Sequence, residues 1–337
     1  MKILVTGGAG FIGSHTCVEL LNNNYEIIIV DNFSNSKPEV IDNIKKITGK
    51  DFKNYNIDIC DKEALDVVFK ENEVDAVIHF AGYKAVGESV AKPIMYYRNN
   101  IDSTLSLLEV MNKYNCKKIV FSSSATVYGS PKSLPIKEDF PLSTTNPYGT
   151  TKLVIEGILK DLYKSDNEWS ITILRYFNPI GAHESGLIGE DPNDIPNNLM
   201  PYIVKVAIGE YDHLSIFGND YNTVDGTGVR DYIHVVDLSI GHIKATDKLF
   251  QNNGLNIYNL GTGNGTSVLE LVNTFSKVNE IDVKYEIAPR RPGDIDACYA
   301  DATKACEELG FKATKTIDDM CKDSYRFASI HKKISNV

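Results

Sequence analysis

The chain has 337 residues, 42% hydrophobic and 24% charged, enough to bury a sizeable core as two domains or one large α/β unit. Its net charge is −10 with no block of Lys or Arg, which argues against nucleic acid or an anionic membrane as the main partner. A small anionic ligand held by a local pocket of arginines stays open.

The six cysteines are scattered without a C-x-x-C, so neither a disulfide framework nor a metal site is expected, and a reducing, cytoplasmic setting fits. No apolar run approaches the about 18 residues of a membrane span. The strand-like run at Ile3 leaves no room for a signal peptide.

Short β-branched runs at Ile3–Thr6, Glu26–Val30, Ala76–Phe80, Lys118–Ser122 and Ile171–Tyr176 alternate with longer amphipathic segments. This predicts βαβ units and a Rossmann-type, doubly wound parallel sheet of the α/β class, buried on both faces. After about residue 177 the regularity breaks, with Pro, Asn and Gly clustered at Asp191–Pro201 and Gly218–Gly228. Residues 1–177 are expected to form one domain and 178–337 a smaller, interleaved lobe, with segments near 232–261 returning to the first sheet.

The first strand runs into Gly7, Gly8, Gly10 and Gly13, with a helical pattern from Ser14. Glycines let the backbone approach a pyrophosphate, which sits on the N–H groups and positive dipole end of the helix. Asp31 ends the next strand, roughly 20 residues on, where a carboxylate takes a ribose diol. Asn32-Phe33 follow it rather than Arg, so the cofactor should be NAD rather than NADP.

Asp58-Ile59, after the third strand-like stretch, read equally as a cap on an adenine edge or as a surface turn. His79 reads as a packed core residue. Lys84 lies in a strand-end loop where an open parallel sheet places ligands, as a phosphate or hydroxyl contact. Asn99 and Asn100 lie on a long helical pattern, Ile94–Tyr114, where Asn caps or distorts the turn more readily than it binds.

Ser122 to Ser124 follow a strand at the ligand side of the sheet. On the next crossover, Asn146-Pro147 open a helix carrying Tyr148 and Lys152 one turn apart on the same face. A nearby cation stabilises phenolate, so Lys152 is expected to pull the Tyr148 pKa down and make it a general acid/base.

With this glycine turn, Ser124 and the Tyr148/Lys152 pair in order, the chain resembles the extended short-chain dehydrogenases/reductases from about residue 1 to 325. Longer strings narrow the resemblance to the UDP-hexose 4-epimerases: His79–Ser89 (HFAGYKAVGES), Phe121–Gly129 (FSSSATVYG), Arg175–Pro179 (RYFNP), Ile195–Tyr202 (IPNNLMPY) and Gly226–His234 (GTGVRDYIH).

The resemblance implies reversible, NAD-dependent inversion at C4 of UDP-hexoses through a transient 4-keto sugar. It makes Tyr148 the proton acceptor, has Lys152 hold the nicotinamide ribose, and has Ser124 orient the reacting hydroxyl. It lays NAD along Phe11-Ile12, along Asp31, Asn32, Phe33, Ser34, Asn35 and Ser36, along Asp58-Ile59, and along Phe80, Ala81, Gly82 and Lys84, with Asn99 and Phe177. It assigns the 178–337 lobe to the UDP-sugar, with contacts at Asn178, Asn198, Leu199, Ser215, Ile216, Phe217, Arg230, Arg291 and Asp294, and Thr126 at the hexose. Arg230 and Arg291 make physical sense as clamps on a diphosphate.

Members restricted to plain hexoses often carry Tyr where Cys298 stands here. A thiol in place of a phenol opens space for an acetamido group, which implies acceptance of UDP-GlcNAc and UDP-GalNAc as well. A nucleotide-sugar 4,6-dehydratase would need an acid and a base after Ser124, where Ala125-Thr126 stand. A catalytically silent member would have lost Ser124, Tyr148 or Lys152, and all are present.

The helical patterns at Ile94–Tyr114 and Tyr148–Tyr163 carry apolar residues beyond one face: Leu105, Leu107, Leu108 and Met111, then Leu153, Ile155, Ile158, Leu159 and Leu162. They fit either burial within the monomer or an interface. The resemblance implies a homodimer through these helices.

Overall fold

Six strands, β1 (Lys2–Thr6), β2 (Glu26–Asp31), β3 (Lys53–Asn56), β4 (Ala76–His79), β5 (Lys118–Ser124) and β6 (Ser170–Tyr176), join Gly254–Leu260 in one parallel sheet. Across the sheet the order is Gly254–Leu260, β6, β5, β4, β1, β2, β3, so the winding reverses between β1 and β4. This computed structural model describes residues 1–193, 196, 198–291 and 293–335. Of the residues singled out in the sequence, Ile195 and Asn197 in the Ile195–Tyr202 string, and Pro292, lie outside these.

The central strands are apolar throughout because both of their faces are covered. On one face α1 (Phe11–Asn22), α2 (Glu39–Thr48) and the helix Val235–Gln251 pack Cys17, Val18, Ile41, Ile44, Leu238 and Ile243 against the sheet. On the other, α3 (Lys62–Glu71) contributes Leu65 and Val68.

Beyond β4 come α4 (Val86–Ala91), α5 (Pro93–Tyr97), α6 (Ser103–Lys113) and, after β5, α7 (Pro147–Ser165). The single helix expected over Ile94–Tyr114 is interrupted by a π-turn at Arg98–Asp102. Asn100 explains it: the amide Oδ1 accepts from the Tyr83 N–H at 2.8 Å, and Nδ2 donates to the Tyr83 carbonyl and the Thr151 hydroxyl, both at 3.0 Å. The extra residue per turn is what lets a mid-helix Asn reach two other elements.

Most of the surplus apolar side chains turn inward. Leu107, Leu108, Met111, Ile155 and Leu159 are buried within the chain. Leu105 and Val154 stay exposed with Val86, Val90, Ile94 and Tyr97, on helices packed against one another.

The later segments divide. Gly254–Leu260 pairs with β6, whereas Tyr232–His234 does not enter the large sheet; it pairs in parallel with Asn178–Ile180. Two more small sheets, Leu214–Phe217 with Tyr285–Ala288, and Val229–Arg230 between Thr266–Ser267 and Ala297–Cys298, complete the second lobe. Its own core holds Met200, Ile203, Leu271, Phe275 and Met320. No helix among the described residues is long and apolar enough to cross a membrane.

Candidate active site

A cleft of about 710 Å³ opens at the carboxyl ends of the strands, over the reversal between β1 and β4. Its floor is the glycine turn. Gly7 holds φ +69°, and a Cβ at Gly13 would stand 2.2 Å from the Gly7 carbonyl oxygen, so no side chain fits. No side chain caps α1 and none of its first turn is acidic, which leaves its N–H groups for an anion. A dinucleotide pyrophosphate fits these groups.

Asp31 lines the cleft with its carboxylate already anchored: Oδ2 accepts from the Ala9 N–H at 2.9 Å, and Oδ1 accepts from the Phe33 N–H at 2.9 Å and the Ser36 hydroxyl at 3.0 Å. Each oxygen keeps a lone pair for a ribose hydroxyl. Lys37, the first cation after it, is paired with Asp191, so nothing beside Asp31 offsets a 2′-phosphate.

Asn32, Ser34, Asn35, Ser36, Asp58, Ile59, Phe80, Ala81, Gly82, Lys84 and Asn99 also line the cleft, as do Phe11 and Ile12. Asp58 is thus a wall residue, tied to Asn32 at 3.1 Å. Two of the expected cofactor contacts are not. The Phe33 ring packs on the core beside α1, its backbone at φ +54°. Phe177 is buried with Val127, Tyr128 and Ile136. His79 bridges Thr6 at 2.7 Å and Thr104 at 3.0 Å, and burial pushes its pKa down to about 3: a neutral core histidine, as its position suggested.

Tyr148 and Lys152 line the inner end. Asn146 caps α7 by accepting from the Gly149 N–H at 2.8 Å, with Pro147 in the first turn. Ser124 ends β5 and accepts from the Thr126 hydroxyl at 3.0 Å. Its own hydroxyl bonds the Tyr148 phenol. The expected drop in the phenol pKa is not what the ligand-free chain has. Burial pushes Tyr148 up, with only Ser124 pulling it down. Lys152 donates to the Ser122 carbonyl at 2.8 Å and sits 5.9 Å from the Tyr148 ring centroid, and burial holds its own pKa down to about 8. The ammonium pays desolvation itself and leaves little to give the phenol.

The remaining residues form a path from Ser124 across the second lobe. Thr126 packs on Gly149. Cys298 joins the cluster of Val127, Tyr128 and Leu153, and lies opposite Arg230 in the strand register. Burial raises its thiol to about 11. Arg230 donates to the carbonyls of Val229 and Ile295, with Asp294 4.0 Å away. Arg291 forks onto Asp294 at 2.9 and 3.2 Å and stacks over Phe217 at 4.9 Å. Both guanidiniums therefore meet Asp294, which a diphosphate would have to replace. Ser215 and Phe217 face out, but Ile216 is buried in the second lobe's core; strand alternation forbids its side chain the site. Asn178 donates its N–H to Asp231. Asn198 and Leu199 open the helix Leu199–Ala207, whose first turn no side chain caps.

The sequence reading missed the outer wall. Leu187 to Pro192, together with Phe327 and His331 of the last helix, close the cleft opposite the glycine turn. The only signal was the clustering of Pro and Asn from Asp191 onward, which marks a loop without saying what it covers.

The family model described as GDP-mannose 4,6 dehydratase matches residues 4–324. The UDP-glucose 4-epimerase of Bacillus subtilis (strain 168) is 63% identical over 98% of this chain and 97% of its own. A crystal structure of UDP-glucose 4-epimerase from Bifidobacterium longum in complex with NAD+ and UDP matches with a TM-score of 0.96 and 57% identity, covering 98% of this chain and 99% of that one. The UDP-Glc/GlcNAc 4-epimerase of Campylobacter jejuni matches with a TM-score of 0.85 and 36% identity, covering 98% and 99%.

Proposed function

The chain belongs to the UDP-glucose 4-epimerase family of extended short-chain dehydrogenases/reductases, and from that premise we propose how its own residues carry the reaction. The enzyme interconverts UDP-glucose and UDP-galactose at C4 with NAD as cofactor. One observation carries the assignment of groups: the Tyr148 phenol, bonded to Ser124, stands at the inner end of a cleft shaped for a dinucleotide.

NAD, when bound, supplies a hydride acceptor that returns what it takes, and its positive ring favours a nearby phenolate. Tyr148 takes the proton of the sugar 4-hydroxyl and later returns it. Ser124 orients that hydroxyl, and Lys152 adds positive charge beneath the ring. Arg230 and Arg291 exchange Asp294 for the diphosphate, so the nucleotide end supplies the binding energy. The hexose meets only the Thr126 and Cys298 end, loosely enough to present either face. Ala125-Thr126 offer no group of the right pKa for elimination, which disfavours a dehydratase despite the name of the matching family model.

Cys298 widens the wall beside Thr126, and the site accepts N-acetylhexosamines. The exposed Val86, Val90, Ile94, Tyr97, Leu105 and Val154 form a homodimer interface. Six unpaired cysteines fit a reducing cytoplasm. Purified protein, given UDP-galactose or UDP-GalNAc without added NAD, should form the C4 epimer of each. No turnover of UDP-galactose would sink the whole assignment, and turnover of it alone would sink the N-acetyl part.

A further inference from the structure

We propose that Glu190 is a positioning residue that couples the cofactor cleft to the substrate lobe, so that a uridine diphosphate bound at Asn198 slows the departure of NAD. This rests on the assignment of the two sites above.

Glu190 lies in the outer wall, with its side chain only 9% exposed. A single oxygen, Oε1, accepts from the Lys84 ammonium at 3.1 Å and from the Asn198 amide at 2.7 Å. Lys84 belongs to the loop after β4, whose backbone Asn100 fixes through Tyr83. Asn198 precedes the helix Leu199–Ala207 without capping it, although Asn is among the favoured caps. Its amide is spent on Glu190 instead. The carboxylate is thus the joint between a cation of one site and an amide of the other.

The same wall is stitched elsewhere to the cofactor side. Asp191 pairs with Lys37, Asn43 donates to the Leu187 carbonyl at 3.0 Å, and Asn193 donates to the Ser36 carbonyl at 3.1 Å. A dinucleotide between this wall and the glycine turn cannot leave until the wall swings out, and swinging out breaks the Glu190–Asn198 bond. A ligand that immobilises Asn198 and Leu199 makes that break costlier. Exposed ion pairs such as Lys84 with Glu190 are worth little by themselves. What matters is that one group is held from both sides. Coupling of this kind is reciprocal and typically about 5- to 150-fold.

The test follows NAD leaving the holoenzyme, with released NAD trapped by an NAD-consuming enzyme, with and without saturating UDP. In the unaltered protein UDP should slow release at least about fivefold. In Glu190→Gln, which keeps shape and loses charge, and in Glu190→Ala, that ratio should shrink to below about twofold. Lys37→Ala cuts an outer stitch only; it should speed release and keep the ratio. A merely structural Glu190 would speed release equally with and without UDP, and an unchanged ratio in both Glu190 variants overturns the proposal. So does a ratio of one in unaltered protein that binds both ligands. Protein that binds no NAD or no UDP would instead bring down the site assignment, and the coupling with it.

Discussion

Arg175 of β6 grips Glu156 of α7 through two nitrogens, at 2.9 and 2.6 Å, with both side chains sealed from solvent. Glu156 lies one turn past Lys152 and also accepts from the Ser123 hydroxyl at 2.6 Å, while Arg175 reaches the Tyr128 hydroxyl at 2.9 Å. The pair therefore locks the catalytic helix to the strand that ends in Ser124. Breaking one partner strands a buried charge: Arg175→Met should cost about 3–5 kcal/mol by urea denaturation. Removing both, Arg175→Met with Glu156→Leu, should recover most of that loss. A double variant as unstable as the single one would show that the network beyond the pair carries the cost.

Tyr148→Phe removes the proton acceptor and leaves the cleft intact. The expected result is unchanged NAD content with kcat lower by about 100- to 10,000-fold. Turnover within a few-fold of the unaltered enzyme rules Tyr148 out.

Lys152 carries a pH signature with two readouts. Its pKa in the folded chain is about 8, against 10.5 in the open chain, so the unfolded state binds the proton more tightly. The penalty is fully present below pH 8 and fades as pH rises towards 10.5, so ligand-free protein should gain stability across that window. The gap corresponds to about 3 kcal/mol. Lys152→Met, which loses the bond to the Ser122 carbonyl, should be about 1–2 kcal/mol more stable at pH 7 and close to inactive. In the unaltered enzyme kcat should decline above about pH 8 as the ammonium is lost. Urea midpoints that fall from pH 8 to 10 would contradict the sign.

Gly13→Ala places a Cβ 2.2 Å from the Gly7 carbonyl oxygen, a contact that moves backbone rather than a side-chain tip. The expected outcome is loss of bound NAD in the purified protein, read from its absorbance spectrum. Normal cofactor content would mean that the turn yields.

The exposed apolar face answers to sedimentation. Ile94 is 78% exposed and Leu105 40%, so charging both should leave the fold intact while shifting a dimer to monomer. A monomeric unaltered protein would remove the reason for the patch.

The parallel sheet was legible because strands covered on both faces must be apolar along their length. β3, KNYN at the sheet edge, has no such run and was the faintest of the six. Local chemistry was legible too: the glycine turn, the Asn146 cap and the core role of His79 follow from spacing and position. What stayed hidden depends on distant partners. Spacing placed Lys152 beside Tyr148 but could not reveal that burial would dominate both pKa values. Arg230 and Arg291 read as phosphate clamps without any sign that Asp294 stands between them. Ile216 was counted with its neighbours although a strand turns alternate side chains inward. Glu190, 106 residues from the lysine it holds, left no local trace.

The Asn100 π-turn bears on how such enzymes can be recombined. Through one amide the loop that flanks the cofactor and the helix that bears the acid/base are fastened to a third element, so their relative placement is not a property of either alone. A Cβ at Gly82 would already crowd that amide at 3.1 Å. A chimera with a crossover between Gly82 and Thr151 inherits parts cut for different hubs. The cofactor half and the catalytic half are then exchangeable only as a matched set.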